Sequence, residues 1–146
     1  MTSFSEFVIE QWPLFAALVL ILGLLLRTWI APRLSGIQEV GTQEAIRLLN
    51  HDDTVVVDVR LDKEFKTGHI LDAVNIPLGA LDSRVRELDK AKSHNVIVVC
   101  QTGNRSLQGA RILRKHGFEH VYNLKGGMTA WINAGLPVST KSRKRK

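Results

Sequence analysis

The chain has 146 residues, 45% hydrophobic and 23% charged, which leaves room for one domain of ordinary size and one further segment. Its formal charge of +6 is concentrated in the terminal run Lys141-Ser142-Arg143-Lys144-Arg145-Lys146; without those five cations +1 remains, and no aromatic stacking platform accompanies them, so nucleic acid is not expected as a partner. A single cysteine, Cys100, excludes an intramolecular disulfide and any Cys-x-x-Cys redox pair, and suits a reducing compartment.

The first element in chain order is apolar. No residue from Trp12 to Leu26 is charged. At 1.5 Å per residue this makes about 22 Å of helix, against a hydrocarbon core of roughly 30 Å. Extension to Ile30 brings it to about 28 Å, with Arg27 snorkelling and Trp12 and Trp29 as interfacial anchors. Residues 7–30 are therefore expected to form a transmembrane helix. A cleaved signal peptide fits less well: no Lys or Arg precedes the run, Glu6 and Glu10 flank it, and no clear small-x-small site follows. A core helix apolar all round would find nothing in so small a domain to enclose it. Arg27 and Arg33 follow the span and no basic residue precedes it. The positive-inside bias thus predicts a single-pass protein of the inner (plasma) membrane, its C-terminal domain cytoplasmic and its N-terminus outward.

Residues 31–36, Ala31-Pro32-Arg33-Leu34-Ser35-Gly36, read as a linker. One α/β domain then spans 37–138, and 139–146 is a basic disordered tail. The tail is either simply solvated or drawn to anionic inner-leaflet lipids, at about 1 kcal/mol per cation near the surface. Within the domain, extended and helical patterns alternate. A brief strand falls near Ile37–Val40, a helix capped by Thr42 follows, and Val55–Val59 is a buried strand. Ala73–Ile76 is a short strand closed by Pro77, and a helix runs from about Leu81 to Ala91. Val96–Val99 is the next strand. The helix after it presents Leu107, Ala110 and Leu113 and ends at Gly117; Val121–Leu124 and a short helix near Met128–Ala134 complete the domain. Alternation implies a mostly parallel sheet with helices on both faces, a three-layer α/β/α domain.

Val96–Val99 delivers the lone cysteine into Cys100-Gln101-Thr102-Gly103-Asn104-Arg105-Ser106, at the carboxyl end of a strand and in front of a helix N-terminus. Unpaired backbone N–H groups and the positive end of the helix dipole favour negative charge there, so Cys100 is expected to ionise near neutrality. A free cysteine is often a buried apolar filler. Gly103, which permits a close turn, the polar Gln101, Thr102 and Asn104, and the fixed cation Arg105 favour a reactive thiolate instead. His51, His94, His116 and His120 show no metal-ligand spacing with Cys100, and neither a metal nor a cofactor is expected. Gly126-Gly127 lacks the length and the Lys-Ser/Thr ending of a phosphate cradle and reads as a tight turn before the Trp131 helix. Asp58 and Arg60, at a strand's carboxyl end, are candidates for catalysis or for a structural ion-pair set with Glu64 and His69. The structural role is the one expected, since a buried charge is tolerable only when its hydrogen bonds are met.

The loop from Cys100 to Ser106, with Asp58-Val59-Arg60, Glu64-Phe65, Gly68-His69-Ile70, Ala73, Asn75-Ile76-Pro77, Gly126-Gly127 and Trp131, resembles the rhodanese family of sulfurtransferases over most of the part after the apolar helix. Asp72 departs from the glycine often found before the alanine, with little expected consequence because Asp tolerates the left-handed region. The resemblance implies a rhodanese-like fold and a transfer in which Cys100 takes a sulfane sulfur from thiosulfate or a persulfide and passes it from a Cys100 persulfide to a thiol acceptor, a small molecule or a protein. Residues 101–106 would bind the substrate, with Arg105 orienting an anionic donor, while Asp58, Arg60, Glu64 and His69 would hold the neighbouring loops. Two rivals are weighed. A cysteine phosphatase resembles a Cys-x5-Arg pattern, whereas here four residues separate Cys100 from Arg105. A catalytically idle rhodanese-like module tethered at the membrane is the other.

Overall fold

The computed structural model describes residues 4–34, 36–51 and 53–141, so residues 1–3, Ser35, Asp52 and tail residues 142–146 lie outside the described part. The chain divides into two compact units, Met1–Gly36 and Ile37–Lys146. The first unit holds α1 (Phe4–Glu10) and α2 (Trp12–Leu34). The stretch Trp12–Ile30 is long and apolar enough to cross a membrane, and none of it is buried within the protein. The helix does not stop at Ile30 as expected: it runs through Pro32 to Leu34, taking up most of the anticipated linker. Proline removes one intrahelical bond, but the helix, 23 residues long and rich in Leu and Ala, carries the pattern past it.

The second unit runs β1 (Gln38–Val40), α3 (Thr42–Leu49), β2 (Thr54–Asp58), α4 (Asp62–Thr67), β3 (Val74–Asn75), α5 (Leu78–Arg84), a 3-10 segment (Val85–Ala91), β4 (Asn95–Val99), α6 (Asn104–Lys115), β5 (His120–Leu124) and α7 (Gly127–Asn133). All five strands pair parallel in the order β1-β5-β4-β2-β3. Successive strand residues point to opposite faces, and the cores divide accordingly. Val57, Val96 and Val98 pack with Leu81, Leu88, Ala110 and Leu113 on one face. Val56, Ile97 and Val99 pack with Ala45, Phe65, Met128 and Trp131 on the other. Both faces are covered, which is why the central strands read as continuous β-branched runs.

Three local expectations change. Gly41 precedes α3 and Thr42 is its first helical residue, with no side-chain cap. The helix expected from Leu81 starts at Leu78, after Pro77, and tightens to 3-10 geometry from Val85, because Leu81, Val85 and Leu88 follow the core surface rather than a straight cylinder. The tail begins later than residue 139: Ser139 and His69 exchange backbone hydrogen bonds of 2.8 and 2.9 Å, strapping the segment up to Lys141 to the domain. Asp72 has φ 60°, the one non-glycine in the left-handed region among the described residues, held by the tight turn that leads into β3.

Candidate active site: the Cys100 loop

The chain leaves β2 towards the edge strand β3 and returns to β4 on the other side of β2, so a crevice opens at the carboxyl ends of β2 and β4. Asp58 ends β2 and Cys100 follows β4, on adjacent strands paired in register. The loop closes over the sulfur. Gly103 takes φ 103°, which turns its N–H inward to donate to Cys100 Sγ at 3.0 Å. Ser106, one turn into α6, places Oγ 3.3 Å from the sulfur.

Behind this contact stands a buried relay. The Ser106 hydroxyl donates to Asn123 Oδ1, and Asn123 Nδ2 donates back to the Gly103 carbonyl at 3.1 Å. When Cys100 is a thiol, its proton goes to Ser106 Oγ and the hydroxyl proton to Asn123. When it is a thiolate, the hydroxyl can turn its proton to the sulfur. Burial pushes the Cys100 thiol up. The Ser106 hydroxyl and the backbone N–H groups of Ser106, Gly103 and Thr102 outweigh that and leave it below its ordinary value. Cys100 is only 1% exposed, so the sulfur sits inside the loop while Thr102 and Asn104 form the exposed rim.

The loop is held from three sides. From α7, Met128 N–H donates to the Cys100 carbonyl at 2.8 Å and Thr129 N–H to the Gln101 carbonyl at 3.1 Å. This docking requires glycine at 127, where φ is 56° and a Cβ would sit 2.3 Å from the Cys100 carbonyl oxygen. From β2, Arg60 pairs with Asp58, its Nη2 2.8 Å from Oδ2, both side chains buried; the same guanidinium donates to the Gly68 carbonyl at 2.8 Å and to Gln101 Oε1 at 3.3 Å. From α4, Glu64 meets Arg105.

The residues read from the sequence are thus not one ion-pair set. Asp58 and Arg60 form a buried pair, whereas Glu64 is bound by Arg105 through two 2.8 Å bonds between half-exposed side chains. Arg105, expected to orient an anionic donor, is bonded to Glu64. Its hydrogen bonds, with the Leu61 N–H, hold the Glu64 carboxyl at about 2, against the opposing cost of burial. Among the described residues His69 has no ion-pair partner; its ring stacks on Phe65 with centroids 3.6 Å apart, Nδ1 lies 2.8 Å from the Phe65 carbonyl and Nε2 3.2 Å from that of Lys141. Asn123 and Thr129 were missed, and Gly127 was read only as part of a tight turn before the Trp131 helix. Asn123, a polar residue within the strand Val121–Leu124, and the Gly126-Gly127 pair were the signals available. Among the described residues no His, Cys, Asp and Glu group could hold a metal.

A parallel α/β domain with a cysteine in an amide-lined loop at its topological switch point defines a class of cysteine-loop proteins. The Rhodanese-like domain family model matches residues 41–134, and the chain belongs to that family. It is 34% identical over 139 residues, 94% of this chain and 97% of the relative, to the uncharacterized protein YibN of Escherichia coli K12. It is 36% identical over 92 residues to a sulfurtransferase of Allochromatium vinosum, covering 63% of this chain and 84% of the relative. Among solved structures, a rhodanese-related protein of Thermoplasma volcanium superposes with a TM-score of 0.64 at 27% identity, covering 71% of this chain and 99% of that one. Family and relatives together support sulfur transfer as the general activity.

Proposed function

We propose that the chain is a membrane-anchored sulfurtransferase that carries a sulfane sulfur on Cys100. The observation that carries the reading is the loop geometry, in which the Gly103 N–H and the Ser106 hydroxyl converge on a cysteine whose pKa they bring below its ordinary value. The thiolate attacks the outer sulfur of the donor. With thiosulfate, a new S–S bond forms to Cys100, the S–S bond of thiosulfate breaks, and sulfite leaves with the electron pair. With a persulfide R–S–SH, the S–S bond between its inner and outer sulfurs breaks and the thiol RSH leaves. Either way Cys100 becomes a persulfide anion held by the donors that held the thiolate, and those fixed dipoles stabilise charge as it develops. A thiol acceptor then removes the sulfur, so the kinetics are ping-pong. With one cysteine in the chain, no internal disulfide can resolve the persulfide.

Mass spectrometry after incubation with thiosulfate or a persulfide tests this. A gain of one sulfur on Cys100, absent in Cys100→Ser, is expected; no gain with any donor overturns it. The near-complete burial of Cys100 favours a second reading, the idle tethering module, which that negative result would support. Anchoring by Trp12–Ile30, with the domain on the cytoplasmic side, rests on length, apolarity and the flanking Arg27 and Arg33. Release of the full chain from membranes by alkaline extraction would contradict it. Contact of residues 142–146 with anionic lipid belongs to the same proposal.

A further inference from the structure

Two cations flank the Cys100 loop and both are occupied. Arg60 is committed to Asp58 in the interior. Arg105 stands at the rim, 36% exposed and within electrostatic reach of Cys100, and its two terminal nitrogens are taken by the two oxygens of Glu64. This fork-to-fork pairing uses the geometry that a sulfonate group would otherwise receive. Glu64 is itself fixed by the Leu61 N–H at 3.1 Å, at the start of α4. A half-exposed pair of this kind contributes little to stability, so its larger effect is on the charge met by an incoming donor. Asp58 cancels Arg60, Glu64 cancels Arg105, and the thiolate leaves the site net negative.

We infer that Glu64 is a specificity-determining residue which, by holding Arg105, turns the loop away from the dianion thiosulfate and towards a sulfane sulfur carried on a thiol. The inference rests on the sulfur-transfer reading and names its donor class. In the favoured half-reaction the Cys100 thiolate bonds to the outer sulfur of R–S–SH, the S–S bond joining that sulfur to RS breaks, and the departing RS− takes the proton of the outer sulfur and leaves as RSH. No dianion enters or leaves, and Arg105 is not needed as its partner.

The test uses the full chain and compares alkylation of Cys100 by anionic iodoacetate and neutral iodoacetamide, a ratio in which the thiolate fraction cancels. Glu64→Gln keeps an acceptor for the Leu61 N–H and frees Arg105. It is expected to raise the iodoacetate-to-iodoacetamide ratio about tenfold, the scale of one unscreened rim charge. The same variant should lower KM for thiosulfate without lowering KM for mercaptoethanol persulfide. Glu64→Ala must shift the ratio in the same direction, and the double variant Glu64→Gln/Arg105→Gln must lose the gain. An unchanged ratio in both single variants, or a gain that persists without Arg105, overturns the inference. If the ratio shifts as expected while no donor loads Cys100, control of anion access by Glu64 stands and sulfur transfer fails. If sulfur loads and the ratio does not move, the inference alone fails.

Discussion

Two arginine–carboxylate pairs flank one loop and differ in almost everything but chemistry. Asp58–Arg60 is buried, its side chains 1% and 3% exposed, and its guanidinium also satisfies the Gly68 carbonyl and reaches Gln101. Glu64–Arg105 is about one-third exposed and spans two elements. Desolvation makes a buried charge dependent on its partner, whereas water can replace a lost partner at the rim. The inner pair therefore fixes architecture, and the outer pair is free to set the charge of the entrance.

The sharpest way to break this contrast is Arg60→Met, which strands Asp58 in the interior; a loss of about 3–5 kcal/mol in urea unfolding is expected. A loss under 1 kcal/mol would place both pairs in one category. Next comes Gly127→Ala, which asks whether α7, rather than the inner pair, holds the loop. The new Cβ meets the Cys100 carbonyl and takes a strained φ, so a cost of about 2–3 kcal/mol is expected by thermal unfolding. Ser106→Ala removes the hydroxyl shared by Cys100 and Asn123. A loss of about 1–2 kcal/mol follows from the unsatisfied Asn123 oxygen. The pH midpoint of iodoacetamide alkylation should move up, because a donor to the thiolate is gone.

The smallest effect belongs to the outer pair. Glu64→Gln should cost no more than about 1 kcal/mol at neutral pH, after solvent screening. The sign follows from a folded value of about 2 below the ordinary 4.5. The native state favours the ionised carboxylate, so the difference between wild type and variant is full above about pH 4.5 and is lost as pH falls towards 2. Unfolding curves of both proteins across that window check it. A difference that grows on acidification would remove Glu64 from the pair.

What was legible in the sequence was whatever depends on local pattern. The β-branched runs Val55–Val57 and Val96–Val99 marked central strands because burial on both faces leaves no polar alternation. Gly117 marked a helix end, and its φ of 87° is the conformation glycine permits. Cys100 could be placed at a strand's carboxyl end, before a helix, from its neighbours alone. Helix tightening at Val85 and continuation through Pro32 were not legible, since packing and helical context outweighed the local propensities.

By itself the sequence determined the parallel α/β family, the apolar N-terminal helix and the place of the lone cysteine between a strand and a helix, because periodicity and a contiguous loop motif are properties of neighbouring residues. Only the tertiary structure decided the partners of each charge. Glu64 and Arg105 are 41 residues apart, and Ser106 and Asn123 are 17 apart. Whether Glu64 joined Arg60 or Arg105, and whether Asn123 faced solvent or the loop, depended on how the crossovers brought β2, β4 and β5 side by side. Pairing of charges and hydrogen-bond donors is settled by distance and desolvation in the packed state, and a one-dimensional pattern encodes neither.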